Sequence, residues 1–349
     1  MQEDGSEEQT EMKTDSEYPR TAVICNRKSG TGAENASDSE AEFDSPETIE
    51  AIRSVLERHG VPAVTVEADE NLAENLKEQR IEFAFNLAEG KSGRDREAQV
   101  PGVLGLLGIP YMGSDATAMA VSLDKDMCKR LMASYGIRVP KGTVISAGDD
   151  LAEKLRGLPY PIILKPNAEG SGRGIFDRSI AENEADFREL LKQAAMVYDG
   201  SMLAEEYLPG REFTVGLLGN GPEVHAFRPM EICYREATDG SYYVYSYRIK
   251  KDFRKYVHYE CPANIPPETE RELMDMAKKA FHALGCCDVA RVDFRLNGAG
   301  EPCFLELNPL PGLAPDYSDY PMTAESEGYS YDAIVFAVYE TALKRTFRG

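Results

Sequence analysis

The sequence predicts an α/β unit followed by α+β units, and three observations carry that expectation. The first third alternates short apolar runs with amphipathic helical stretches, an order that implies a parallel sheet with helices packed on it. The last third is dominated by long strand-like runs with one long helical stretch beside them. At 349 residues the chain is too long for one simple core and suits two or three domains.

The elements follow in order. Residues 1–18 are polar and acid-rich with almost nothing to bury, so a disordered tail is expected. A first unit spans 19–112. Its opening strand is the apolar run Thr21–Cys25, followed by a polar loop to Phe43. Ser45 then stands as N-cap and Pro46 at the first helical position, with Ile49, Ile52 and Leu56 on one face and Gly60 as the stop. Residues 61–66 and 81–87 read as strands, and Val100, Val103, Leu104 and Leu107 mark a further helix. A second unit, 113–208, has a helix over 125–135 capped by Asp124 and ended by Gly136. Strands at 139–146, 161–165 and 202–207 and a helix around 187–197 complete it. The third, 209–349, has strands at 213–218, 223–233 and 242–250, a helix at 267–284, and strands at 288–296 and 302–308. No internal repeat is found.

Composition excludes several classes. A net charge of −21 argues against a general nucleic-acid binder, which needs a basic face to release counterions. No run approaches the roughly 20 apolar residues that cross a bilayer, and the acidic first residues lack the pattern of a secretory signal. The cytoplasm is the expected compartment. Seven scattered cysteines read as small apolar residues in reducing surroundings.

Three constellations carry chemistry. In ARVDFRL…EPCFLELNPLPG, side chains two apart on a strand share a face, so Arg291 aligns with Asp293 and Glu306 with Asn308. The intervening NGAGE is turn-forming, so the strands pair as a hairpin and gather all four groups. Two carboxylates and a carboxamide are hard oxygen donors suited to Mg²⁺ beside phosphates; the arginine can hold phosphate or an oxyanion. The plainer alternative is a solvated face with salt bridges. In PIILKPNAEGSGRGI, a strand delivers Lys165 to a loop in which Gly170, Gly172 and Gly174 flank Ser171, a loop that could cradle phosphate or be a surface turn. In MLAEEYLPGREFTV, Glu205 and Glu206 precede a Pro-Gly turn and Glu212 follows it. This could be a hinge offering backbone groups to an adenine and Glu212 to ribose, or a β-hairpin with exposed acids.

Taken in order, LGIPYMGSD, SLDKDMCKR, ILKPNAEGSGRG, AEEYLPGREFTV, RVDF and LELNPLPG resemble the ATP-grasp ligases, most closely the D-alanine–D-alanine ligases. The match is collinear over roughly residues 81–340. The resemblance implies the ATP-grasp fold: a Rossmann-like pre-ATP-grasp unit, then two ATP-grasp subdomains that grip ATP between them. It implies ATP and two Mg²⁺ ions, with Mn²⁺ able to substitute. Small-molecule carboxylate and amine substrates follow, as does a homodimer, common among such ligases. Lys125, Lys165 and Lys250 correspond to phosphate-binding lysines, with Glu169, Gly170, Ser171, Gly172 and Gly174 in the loop over the phosphates. Glu205, Tyr207 and Leu208 correspond to the adenine site and Glu212 to the ribose site. Asp293, Glu306 and Asn308 correspond to the metal ligands, Arg291 to the arginine that steadies the tetrahedral intermediate. Ser171 and Lys250 would stand near the reacting groups.

The pattern departs from the family on the substrate side. The family's His-Gly is Glu89-Gly90, and the acids after it are replaced by Arg94, Asp95 and Arg96; the two arginines favour an anionic substrate group unless they face solvent or pair with Glu89 and Glu97. The carboxylate-holding loop reads PGLAPDYSDYP, with Gly312, Tyr317 and Ser318 at the expected positions but Asp316 and Asp319 beside them. The family's catalytic tyrosine is Lys251. The expectation is therefore an ADP-forming acid–amine ligase with altered substrates. An authentic D-alanine–D-alanine ligase, a phosphotransferase and a non-catalytic nucleotide binder stay open.

Overall fold

The computed structural model describes residues 16–28, 43–170, 179–237, 241–244, 253–315 and 317–347. Expectations that fall on Ser171, Gly172, Gly174, Lys250, Lys251 and Asp316, and on most of the acidic tail, lie outside these residues.

The first sheet is parallel. Strands β1 (Thr21–Cys25), β2 (Ala63–Glu67), β3 (Phe83–Asn86) and β4 (Tyr111–Met112) lie in the order β2-β1-β3-β4. Helix α1 (Pro46–Arg58) starts where expected: the Ser45 side chain accepts from the Thr48 amide at 3.2 Å, and Ile49, Ile52, Val55 and Leu56 are buried. Replacing Ser45 by alanine leaves that amide without its cap and is expected to cost about 1 kcal/mol, read as a lower thermal unfolding midpoint. Helices α2 (Leu72–Glu78) and α3 (Gln99–Leu107) follow β2 and β3.

Helices α4 (Ala116–Leu123) and α5 (Lys125–Ser134) come next, then an antiparallel sheet in the order β5-β8-β6-β7. It is built from β5 (Gly142–Ile145), β6 (Ile162–Pro166), β7 (Ile180–Ala181) and β8 (Met202–Glu206), with α6 (Leu151–Lys154) and α7 (Glu184–Ala194) alongside. The largest sheet is also antiparallel. It contains β9 (Glu212–Leu218), β10 (His225–Ala226), β11 (Met230–Tyr234), β12 (Val257–Glu260), β13 (Val289–Leu296) and β14 (Pro302–Asn308), in the order β12-β11-β9-β13-β14 with β10 also on β9. Helices α8 (Phe253–Tyr256), α9 (Pro267–Leu284), α10 (Asp319–Glu325) and α11 (Tyr331–Phe347) complete the fold. No helix among the described residues is long and apolar enough to cross a membrane.

Two expected strands differ. The run 223–233 is broken into β10 and β11, because Phe227 is buried and Pro229 offers no N–H to a ladder. Of 242–250, the described residues through Val244 form no strand.

The cores cross the boundaries read from sequence. Cys128 and Met132 of α5 pack with Phe213, Phe281 and Phe304 under the large sheet. The final helix returns to the first sheet, where Ile334, Val335, Val338 and Tyr339 share a core with Val23, Phe83 and Phe85. Tyr18 also packs on Tyr339, with ring centroids 6.1 Å apart. The helix that opens the second unit and the helix that closes the chain thus anchor neighbouring cores, and the small β5–β8 sheet keeps one of its own, around Phe187.

Candidate active site

The β13–β14 hairpin forms as its alternation and turn require. Arg291 lies opposite Asn308 and Asp293 opposite Glu306, which puts all four on one face. Arg291 grips Asp293 with two parallel hydrogen bonds of 2.9 and 2.8 Å. Thr214 on the neighbouring β9 donates to the same carboxylate at 2.6 Å, and the Asn308 amide does so at 3.2 Å. Burial pushes the Asp293 carboxyl up against the pull of Arg291. Burial acts on Glu306 in the same direction, yet Lys125, Arg291 and Lys165 together hold it well below the usual carboxylate range. An ionised carboxylate, a second carboxylate and a carboxamide oxygen side by side fit a hard divalent cation.

Lys125 stands at the first position of α5, 3.0 Å from Glu306, and donates to the Glu169 carbonyl at 2.7 Å. The segment after Lys165 is docked onto this helix start: the Asn167 carbonyl accepts from the Lys125 amide at 3.0 Å, and its side chain bonds both Asp124 and the Asp126 amide. Lys165 pairs with Glu205 at 2.7 Å. One turn beyond Lys125, Lys129 is buried and pairs with the other oxygen of Glu205. Burial pushes Lys129 down to about 7 against the attraction of Glu205, with Lys165 and Lys125 adding repulsion. Glu205 remains lowered despite burial because two lysines face it.

The segment AEEYLPGREF is a link between sheets and not a hairpin. Glu205 lies on β8 of the small sheet and Glu212 on β9 of the large one, and both are buried, at 1% and 8% exposure. Burial raises Glu212, which accepts from the Tyr234 hydroxyl at 2.8 Å and lies 3.6 Å from Arg295. Arg295 also covers the Tyr207 ring, 4.9 Å from its centroid.

These groups open on one cavity of about 520 Å³ between the small and large sheets. Lys125, Lys165, Glu169 and Gly170 line it on one side, Glu205, Tyr207, Leu208 and Glu212 at the linking segment, and Arg291, Asp293, Glu306 and Asn308 on the floor. Of the substrate positions, Glu89, Gly312, Tyr317 and Ser318 line it as well. Arg94 and Arg96 do not line it. Arg94 pairs with Asp124 at 3.0 Å. Arg96 is buried, donates to the Ala168 carbonyl at 2.9 Å and lies 3.7 Å from Glu169 and 4.0 Å from Glu97. The two arginines brace the base of the lysine loop, and the anionic first substrate expected from them loses its support. Gly90 lets the backbone pass close to that of Arg96: its φ is +78°, and a Cβ there would meet the Arg96 carbonyl oxygen at 2.0 Å.

Sequence reasoning missed Arg295 and Lys129. Arg295 continues the alternation of Arg291 and Asp293; Lys129 follows Lys125 by four residues, one helical turn. It also missed Asp44 and Lys28, which line the cavity from the first unit; burial raises Asp44 to about 6, and Lys28 opposes it.

Residues 131–340 match the family model described as the D-ala D-ala ligase C-terminus. The D-alanine–D-alanine ligase of Bordetella petrii is 36% identical over 294 residues, covering 84% of this chain and 86% of its own. D-alanine–D-alanine ligase B of Chromobacterium violaceum is 34% identical over 291 residues, 83% and 90% of the two chains. Among solved structures, the D-alanine–D-alanine ligase of Bacillus anthracis complexed with ATP has a TM-score of 0.73 at 25% identity, covering 95% of this chain and all of its own. The VanG D-Ala:D-Ser ligase of Enterococcus faecalis, at TM-score 0.72 and 21% identity, is a likeness of fold. Fold, site and relatives define an ATP-grasp enzyme, an ADP-forming ligase that makes carbon–nitrogen bonds. Within that class, the chain belongs to the D-alanine–D-alanine ligase family.

Proposed function

We propose that this ligase joins an amino-acid-like carboxylate to an amine through an acyl phosphate, and that its pair of substrates is not two D-alanines. The observation that carries the ligase chemistry is the cross-strand face of Arg291, Asp293, Glu306 and Asn308, opening on the same cavity as Lys125, Lys165, Glu205 and Glu212. Glu205 and the backbone of Tyr207 and Leu208 would hold the base of ATP, Glu212 the ribose, and Lys125 and Lys165 the phosphates. Asp293, Glu306 and Asn308 would hold a pair of Mg²⁺ ions, which when bound neutralise charge on the transferring phosphoryl group. The substrate carboxylate attacks the γ-phosphorus, and ADP leaves. Attack of the amine on the acyl carbon then sends charge to the carbonyl oxygen beside Arg291, a preorganised donor.

Altered specificity is supported by one of the two substrate walls. The first unit contributes Asp44, Glu47 and Glu89 with Lys28, a mainly acidic lining that suits any acid carrying an ammonium group, D-alanine included. The opposite wall places Asp319 among Tyr317 and Ser318, where it would repel a second substrate's carboxylate. D-alanine–D-alanine ligation is the second reading, favoured by Ser318 in the wall beside Gly312 and by the names of the relatives. Measuring ADP release over a panel of acid–amine pairs is the test. Turnover is expected with a pair other than two D-alanines; strong, selective activity with D-alanine alone overturns the specificity reading.

A further inference from the structure

Asp319 has no part in the chemical steps above, yet it lines the cavity beside Arg291. Its side chain is 11% exposed, lines the cavity, and lies 3.7 Å from Nη1 of Arg291. The other edge of that guanidinium, Nε and Nη2, is taken up by Asp293. An oxyanion held by Arg291 at Nη1, the corner of its fork that Asp293 leaves, is therefore a neighbour of Asp319. The nitrogen that attacks the acyl carbon is bonded to the same carbon as that oxyanion, so it arrives beside the Asp319 carboxylate.

The backbone around Asp319 is fixed. The Ser318 hydroxyl accepts from the Ala314 amide at 3.0 Å, and the Ser318 amide donates back to the Ala314 carbonyl at 3.2 Å. Gly312 backs onto the same hydroxyl so closely that a Cβ would stand 2.8 Å from it. On the other side Tyr320 is fully buried, with its hydroxyl on the Leu217 carbonyl at 3.2 Å. Asp319 is pinned between two anchored residues, as a preorganised group must be.

We propose that Asp319 receives the ammonium of the amine substrate and takes its first proton; this rests on the ligase reading above. A carboxylate at this place attracts an ammonium and repels a carboxylate, and an ammonium has no lone pair with which to attack. One proton passes to Asp319, which frees the nitrogen lone pair. The carbon–nitrogen bond forms, the carbonyl π pair moves to the oxygen beside Arg291, and that pair returns as the carbon–oxygen bond to phosphate breaks. The second surplus proton leaves the nitrogen with the departing phosphate, giving a neutral amide and inorganic phosphate.

Hydroxylamine separates this role from a structural one, because it is largely neutral at neutral pH and captures an acyl phosphate as a hydroxamate without needing a base. With ATP, Mg²⁺ and a panel of D- and L-amino acids as donors, the wild-type enzyme should form a hydroxamate. With the same amino acids as acceptors it should form an amide. In Asp319→Asn the amide rate is expected to fall about 100-fold or more, while the hydroxamate rate stays close to wild type and reports an intact fold and an intact Arg291. Asp319→Glu should recover part of the amide rate. Equal loss of both products would overturn the proposal in favour of a role in holding Arg291, and retention of both would overturn it outright. Absence of hydroxamate from the wild type with every donor would instead overturn the ligase reading, and this proposal with it.

Discussion

Replacing Arg291 by methionine is expected to lower turnover by about 10²–10³-fold, the usual consequence of removing one oxyanion donor. The effect should differ in kind from that of Asp319→Asn. Both the amine and hydroxylamine send charge onto the carbonyl oxygen, so Arg291→Met should lose amide and hydroxamate together. The substitution also leaves Asp293 and Asp319 facing each other without the cation between them. Breaking a buried ion pair from one side commonly costs about 3–5 kcal/mol, so rates should be compared at a temperature where circular dichroism shows the variant folded. ADP release followed with each acceptor is the measurement. A folded variant with hydroxamate formation at the wild-type rate would remove Arg291 from the oxyanion role.

How much of this was legible in the sequence depends on how local each cause is. The shared face of the RVDF and LELN strands was legible, because period-two alternation and a five-residue turn bring it together; the irregularity between Asp293 and Phe294, which leaves Leu305 without a partner across the ladder, was not. The Ser45 and Asp124 caps were legible for the same reason, since both act within three residues. The Pro209-Gly210 turn was not. Turn chemistry reports that the chain reverses, and it does not report whether the flanking strands join one sheet or two. Arg94 and Arg96 misled because a guanidinium's partner is a tertiary fact; the Ala168 carbonyl that takes Arg96 lies 72 residues away. Helix α4, ATAMAVSL, carries apolar residues on more than one side and lacks the single stripe that marks an amphipathic helix. The positions expected around ATP that fall on described residues lie on segments with strong local patterns, and their placement was therefore readable. The substrate side, where side chains from the first unit and from the loop before α10 converge, was readable in residue type and not in orientation.

The return of the last helix to the first sheet was also hidden, and it concentrates a second large effect on one residue. Asp288, just before β13, is fully buried with φ of 65°. Its carboxylate accepts from the Gly113 amide at 2.9 Å, from the Asn220 side chain at 2.8 Å, and from Nε and Nη2 of Arg345 at 2.8 and 2.7 Å. Those partners follow β4, follow β9 and lie on α11, so one carboxylate ties the first sheet, the large sheet and the final helix together. Asp288→Ala leaves a buried amide and a guanidinium uncompensated and puts a β-carbon residue without local hydrogen bonding in the left-handed region. The expected cost is about 3–5 kcal/mol, read from urea unfolding. Asp288→Asn tolerates that backbone conformation and keeps one acceptor oxygen, but it loses the charge and turns an NH₂ toward N–H donors; its cost should still be smaller, about 1–3 kcal/mol. Because the lost contacts join cores, the alanine variant should also unfold in two separated steps, the first sheet with α11 melting before the large sheet. Asp288 contributes nothing to the cavity, so ADP release at low temperature should stay near the wild-type rate. A single cooperative transition at the wild-type midpoint would show that the three elements are held together without it.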